Sequence, residues 1–250
     1  MKLILTLALL FLFSFAQESK QKVTIGAGPY IQTQPYKGVE PILLPSPVIF
    51  FDNSLFYVRW SRAGVYFLGE KKENYAWGFS LTAQPRPLGY KESDSSFLKG
   101  MDERKNTLEG GVAFSGSYGD SFLEVMLLTD LLERYDSWLL RTELGYKYEV
   151  GKFTLYPSLL LLYQSEELND YYYGVKSSEV DLTIGRTFYK ANAGLQIGAQ
   201  TFINYEINDS WSTLLNLRAD RLPQEVHKSP LLDETYIYSG LLSLMYTFEY

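Results

Sequence analysis

The closing stretch Tyr236-Ile237-Tyr238-Ser239-Gly240-Leu241-Leu242-Ser243-Leu244-Met245-Tyr246-Thr247-Phe248-Glu249-Tyr250 decides the fold. Read with a period of two, Tyr236, Tyr238, Gly240, Leu242, Leu244, Tyr246, Phe248 and Tyr250 share one face. Ser239, Ser243, Thr247 and Glu249 share the other, joined by Ile237, Leu241 and Met245. Successive side chains of an extended chain point to opposite sides, so this is a strand with one apolar face. Residues 193 to 207 repeat the device, with Ala193, Leu195, Ile197, Ala199, Ile203, Tyr205 and Ile207 against Gly194, Gln196, Gly198, Gln200, Asn204 and Glu206. Residues 138 to 150 set Trp138, Leu140, Leu144, Tyr146, Tyr148 and Val150 against Arg141, Glu143, Lys147 and Glu149, and 75 to 84 do the same.

A soluble sandwich also alternates, so three further features decide. These runs are long, whereas strands of soluble domains have about 5 or 6 residues and a tilted membrane strand about 9 to 11. Aromatics cluster at the ends of the apolar faces (Tyr75 and Trp77, Trp138 and Tyr148, Trp211, Tyr246 to Tyr250), where an interfacial girdle belongs. The chain given closes on an amphipathic strand with an aromatic last residue, as outer-membrane assembly signals do.

Connection lengths supply an independent test, because such barrels alternate long outer loops with short inner turns. Working back from Tyr250 on the inner side, 222–235 is long and outer, Asn208-Asp209 tight and inner, 166–191 long and outer, Gly151 inner. Residues 132–137 are then outer, Gly119-Asp120 inner, 87–105 outer and 70–74 inner. Upstream, 22–30 reads as the first strand and 31–45 as its outer loop. Parity then asks 46–69 for one strand or three, near 46–52, 55–60 and 64–69, with turns at Asn53-Ser54 and Ser61 to Gly64. The expected fold is all-β, a closed antiparallel transmembrane barrel of twelve strands, with ten as the alternative.

Composition agrees. Among 250 residues, 21 tyrosines, 15 phenylalanines and 4 tryptophans accompany 19 glycines, and cysteine is absent, which excludes disulfide scaffolds, thiolate metal sites and cysteine nucleophiles. A net charge of −6 argues against nucleic acid, whose binders need a basic face. Lys2, the apolar run Leu3 to Phe13 and the small residues of Ser14-Phe15-Ala16 read as a signal peptide, residues 1–16, cleaved after Ala16. Residues 17–250 then form the barrel.

The inward faces carry both signs of charge: Arg141, Lys147 and Arg218 against Glu124, Glu143, Glu149, Glu206 and Asp220. Opposite charges pair favourably across strands, so the lumen is either a packed plug or a narrow polar pore. Catalysis has little to work with. The single histidine, His227, lies in an outer loop with Asp220 and Asp233 near in sequence, and no G-x-S-x-G motif accompanies it. Gly26-Ala27-Gly28 lies in a strand with no helix following, so it is no phosphate cradle. The acidic run Ser165 to Asp170 could ligate a divalent cation, but a solvated loop accounts for it. No cofactor or metal is called for.

Particular residues resemble a known family. Gly26-x-Gly28-Pro29 with Tyr36-x-Gly38, then Pro45-Ser46-Pro47-Val48-Ile49-Phe50-Phe51, resemble the opening of mature OmpV-like proteins, also called the MltA-interacting protein family. Leu98-Lys99-Gly100-Met101-Asp102-Glu103-Arg104, with Thr107 and Glu109-Gly110-Gly111, resembles its most recognisable motif, and Asn169-Asp170-Tyr171-Tyr172-Tyr173-Gly174-Val175 a second; Ser229-Pro230-Leu231 follows in order. The resemblance implies an outer-membrane protein of Gram-negative bacteria, non-enzymatic, embedded in lipid and lipopolysaccharide. It implies a scaffold or envelope-organising role, one member being described as joining a lytic transglycosylase to a peptidoglycan synthase. A small-solute channel is the alternative and an outer-membrane hydrolase, dependent on His227, the third. Parity puts both motifs at the outer mouth, where Met101, Asp102 and Arg104 are expected to fold against Tyr171, Tyr172 and Tyr173 as a cap, with Arg104 paired to Asp102 or Asp170.

Overall fold

The computed structural model describes residues 21–249. The signal peptide expected at 1–16 and the terminal Tyr250 lie outside them. Twelve antiparallel strands close on themselves: β1 (Lys22–Gln32), β2 (Ile42–Asp52), β3 (Phe56–Arg59), β4 (Arg62–Lys71), β5 (Tyr75–Arg86), β6 (Thr107–Tyr118), β7 (Ser121–Asp130), β8, β9 (Phe153–Gln164), β10 (Gly194–Glu206), β11 (Trp211–Arg221) and β12 (Tyr236–Glu249). Strand β8 comes in two pieces, Trp138–Tyr146 and Tyr148–Val150, interrupted at Lys147 and paired in turn along β9. Closure is made by β1 against β12, in register from Lys22↔Glu249 to Gln32↔Ser239. No helix among the described residues is long and apolar enough to cross a membrane; a closed ladder of strands satisfies its backbone polar groups internally, as a membrane-spanning wall requires.

The alternation read from β12 sorts as its chemistry requires. Leu242 and Leu244 are exposed outward, while Ile237, Leu241, Ser243 and Met245 are buried inward. Outward leucines at this exposure are costly in water and at no disadvantage against lipid. Aromatic pairs ring the ends of the strands: Trp211 with Tyr246 at 5.0 Å, Phe153 with Tyr205 at 4.8 Å, and Trp138 with Tyr163 at 5.9 Å. Tight inner turns use left-handed glycines, Gly119 (φ 54°) and Gly151 (φ 60°). At 207–210 the Asn208 carboxamide oxygen instead accepts from the N–H groups of Ser210 and Trp211.

The second and third strands depart from expectation. Strand β2 begins at Ile42, so the first outer loop spans only 33–41. The β3–β4 turn falls at Trp60-Ser61, where Trp60 takes φ 55°, and not at Gly64. Gly64 lies in β4 opposite Tyr57, where a Cβ would meet the Tyr57 ring at 2.5 Å. The glycine is there to let that ring lie flat in the lumen. Consequently β3 has four residues and stops far short of the outer rim.

Two cores fill the interior. A large one at the outer mouth gathers the loops around Tyr36, Leu98, Leu168, Tyr172, Tyr173 and Leu231; a smaller one in the lumen joins Val48, Leu214, Leu241 and Met245 to Tyr30, Phe50, Trp60 and Phe202.

Candidate functional site

Across the lumen runs a belt of charge. Glu124 on β7 is its hub. One carboxylate oxygen accepts from Arg59 Nη1 at 3.2 Å and Ser115 Oγ at 3.2 Å, the other from Arg141 Nη1 at 3.2 Å and from Arg62. Arg141 also reaches Glu143 at 2.6 Å, and Glu143 accepts from Ser158 Oγ at 2.7 Å and Gln200 Nε2 at 2.6 Å. Arg59 is further held by Asp52 at 2.9 Å and the Tyr66 hydroxyl at 2.6 Å. Farther round, Arg218 grips Asp220 at 2.6 and 2.8 Å, and Gln196 joins that carboxylate to Gln164. Residues of β2, β3, β4, β6, β7, β8, β9 and β10 thus share the Glu124–Glu143 network, and β9, β10 and β11 share the group around Asp220. Burying such charges is costly, and removal of either partner leaves an uncompensated ion. Glu124, with two donors on each oxygen, has all four of its acceptor sites filled.

Of the lumen charges read from sequence, Glu124, Arg141, Glu143, Arg218 and Asp220 belong to this belt. Lys147, paired with Glu149, and Glu206 share the same inward parity but sit at the inner rim, in contact with solvent. Arg59 and Arg62 escaped sequence reading because β3 and β4 are too short and too interrupted to show a period. A second buried pair, Arg86 with Glu109, lies above the belt, where Gln84 and the Tyr135 hydroxyl also donate to Glu109, at 2.9 and 3.0 Å. Its signal was legible: Arg86 continues the inward set of β5, and Glu109 opens the Glu-Gly-Gly element.

Above it the outer loops fold inward. Helix α1 (Glu166–Tyr173) starts at Ser165, whose hydroxyl accepts from Leu168 N–H. Its far face sends Leu168, Tyr172 and Tyr173 into the mouth, fully buried, and Met101 meets the same core from loop 87–106. Arg104 bridges the two loops. It pairs with Glu179 rather than with Asp102 or Asp170, Nη1 and Nη2 each donating to one carboxylate oxygen at 2.9 Å. Its Nε donates to the Tyr171 carbonyl at 2.6 Å and Nη1 to the Asp102 carbonyl at 2.9 Å, while the rings of Tyr90 and Tyr171 flank it at 5.8 Å. The expected partners are otherwise committed. The Asp102 carboxylate accepts from Lys176 at the surface, and Asp170 accepts from Ala191 N–H. Glu179 reaches Arg104 because a 3-10 turn, Ser177–Glu179, points it back under the loop.

Burial alone would push the Glu179 carboxyl up. The Arg104 guanidinium and the N–H groups of Lys176 and Asp102 outweigh it and hold the group below the ordinary carboxylate range. The phenols of Tyr36, Tyr90, Tyr172 and Tyr173 are pushed up by burial, so the mouth stays neutral apart from its paired ions. Arg186 clamps the same turn, its Nε on the Glu179 carbonyl at 2.7 Å and its Nη2 on the Lys99 carbonyl at 3.1 Å. Neither Glu179 nor Arg186 was singled out in the sequence.

His227 Nε2 lies 3.0 Å from the Leu222 carbonyl, and Asp220 is occupied by Arg218 and Gln196. The acidic run at Ser165–Asp170 is the first turns of α1, with Glu166 on Lys190 and Glu167 on Ser137. Among the described residues no cluster of three or more potential metal ligands occurs.

Comparison with known proteins places this geometry. The MltA-interacting protein of Escherichia coli (strain K12) is 28% identical over 231 residues, covering 92% of this chain and 90% of the relative. Outer membrane protein OmpV of Vibrio cholerae serotype O1 is 27% identical over 146 residues, 58% of this chain and 56% of the relative. An outer membrane channel from Pseudomonas putida is among the similar solved structures, at 11% identity and TM-score 0.45, covering 95% of this chain and 98% of that one. The profile of the MltA-interacting protein MipA family matches residues 25–248, and the chain belongs to that family of outer-membrane β-barrels.

Proposed function

We propose that this barrel is a non-conducting, non-enzymatic organiser of the cell envelope that binds a membrane-anchored lytic transglycosylase, and through it a peptidoglycan synthase, at its inner rim. The observation that supports the first half is the saturation of Glu124, on which three guanidiniums and a serine hydroxyl converge inside the lumen. The capped outer mouth adds a second barrier. The partner is suggested by the printed name of the Escherichia coli relative. The surface offered to it is a flat rim of short turns carrying exposed charges of both signs, among them Lys22 with Glu249, Lys72 with Glu70, and Lys152. The outward leucines and aromatic girdle would meet lipid and, in the outer leaflet, lipopolysaccharide. Export by removal of residues 1–16 would start the mature chain at Gln17, which the intact mass of the purified protein checks.

The deciding experiment pairs planar-bilayer conductance with affinity capture. The refolded barrel, shown folded by its heat-modifiable gel shift, is expected to leave the bilayer silent. The tagged protein is expected to retain the lytic transglycosylase from solubilised envelopes. Discrete, salt-dependent openings would overturn this reading in favour of a small-solute channel; a silent bilayer with no captured murein enzyme would remove the partner assignment.

A further inference from the structure

Among the described residues the longest one-sided stretch of the wall lies beside β3. Strand β3 pairs with β2 only at Phe50, Phe51 and Asp52, and the Trp60 N–H closes the hairpin on the Ile49 carbonyl at 2.8 Å. Above that point Ile42–Val48 of β2 are laddered to β1 alone. On the far side β4 first meets β5 at Ala63↔Ala83, so Gln84–Arg86 are laddered to β6 alone. The truncated hairpin therefore leaves a notch between β2 and β5 in the outer half of the wall. Seven residues of β2 border it, about 24 Å of strand.

Unpaired backbone donors are expensive in hydrocarbon, and prolines remove most of them from both rims of the notch, the Leu43 N–H at the outer lip remaining. The Ile49 carbonyl points toward β3, so the same-parity residues Pro45 and Pro47 turn their nitrogens to the notch. On β5, the residue opposite Pro85 is Leu108, whose carbonyl is spent on Leu131 in the other direction. Pro85 therefore faces away from β6, into the notch. Proline carries no N–H, so these edges present carbonyls with few donors, which is less costly against lipid than a full edge and a poor template for adding another strand. That disfavours a second copy or an extended peptide as occupant and favours hydrocarbon. Leu43, 72% exposed, forms the outer lip. Behind the notch stands Trp60, its indole N–H on Ser46 Oγ at 3.0 Å and its ring against Tyr30 and Phe202.

We propose that the notch is a lateral window that seats an acyl chain of an outer-leaflet lipid against Trp60. The proposal does not depend on the scaffold reading, since a window into a closed lumen is compatible with a silent bilayer.

Brominated acyl chains quench indole on contact and supply the test. A variant keeping only Trp60, with Trp77, Trp138 and Trp211 changed to Phe, is reconstituted in vesicles of phosphatidylcholine with or without dibrominated chains. Trp60 emission should fall at least twofold on bromination. Through-wall quenching is set by a tryptophan-free background carrying Leu162→Trp, a buried inward position of β9 laddered to β8 on one side and to β10 on the other. Trp60 quenching no greater than that baseline overturns the proposal, as does quenching of Trp60 by aqueous acrylamide but not by bromolipid. Should the triple replacement fail to fold, the wild-type protein minus Trp60→Phe gives the same difference from one conservative change.

Discussion

At the scale of single residues, the contact between Arg104 and Glu179 illustrates how a buried ion pair reports on pH. Glu179 is held below the ordinary carboxylate range, so the stability it lends the cap is complete above the unfolded carboxylate value of about 4.3 and is lost as pH falls through the lower, folded value. Acidification below about pH 4 should speed tryptic cleavage after Lys99 and Lys105 of a cap preincubated at that pH and returned briefly to neutrality, provided the loop recloses slowly; a direct reading is the melting midpoint of the barrel across the same range. The Glu179→Gln variant should flatten that acid dependence. Arg104→Ala leaves the carboxylate buried without its fork and should cost about 3–5 kcal/mol, read as faster trypsin cleavage after Lys105 at neutral pH. An unchanged rate would show that the cap is held by its apolar core alone. The sequence brought Arg104 and the Tyr171–Tyr173 segment together through motif and parity. Its partner was not legible, because Glu179 lies 75 positions away in an aperiodic loop and its direction is set by a single 3-10 turn.

Elements show where sequence periodicity is sufficient and where it fails. Strands β5 to β12 repeat an apolar face for nine or more residues and are bounded on the inner side by Gly or Asn turns, so both their existence and their facing follow from the pattern. The β2–β4 region resists because its period is broken by Pro45 and Pro47, by a four-residue strand, and by a turn made on Trp60 instead of a glycine. The opening Gly-x-Gly-Pro element acquires a physical reason at the seam. A Cβ on Gly28 would lie 1.7 Å from the Leu242 carbonyl oxygen and within 2.8 Å of the neighbouring β12 backbone, which cannot step aside without opening the barrel. Gly28→Ala should therefore destabilise closure at the severe end of point mutations, about 3 kcal/mol or more, and refolded protein should lose most of its heat-modifiable species. Gly240→Ala, whose new methyl would meet only ordinary contacts of 3.6 Å and beyond, should refold like the parent. Equal behaviour of the two variants would remove the close approach as the reason for the motif.

For the whole molecule, the proposed closure has two layers, the loops packed into the outer mouth and the belt at Glu124. Parity identified five of the belt's charges, yet plug and pore remained open from sequence, because reach across a lumen depends on strand tilt and on the guanidiniums of β3 and β4. Two barriers in series imply that neither loss alone makes a hole. Arg104→Ala should loosen the cap and remain silent in planar bilayers, with the belt intact beneath it. Glu124→Ala should remain silent as well while the cap stands, although it strips Arg62 of its only carboxylate partner among the described residues. The double variant should conduct. Its belt then holds Arg59, Arg62 and Arg141 against Asp52 and Glu143, with Arg218 and Asp220 cancelling, so positive charge prevails at the constriction and anions should pass in preference to cations. Reversal potentials across a salt gradient measure that preference directly. Conduction by Glu124→Ala alone would locate closure in the belt, conduction by Arg104→Ala alone would locate it in the cap, and a cation-selective double variant would mean that the guanidiniums do not line the path.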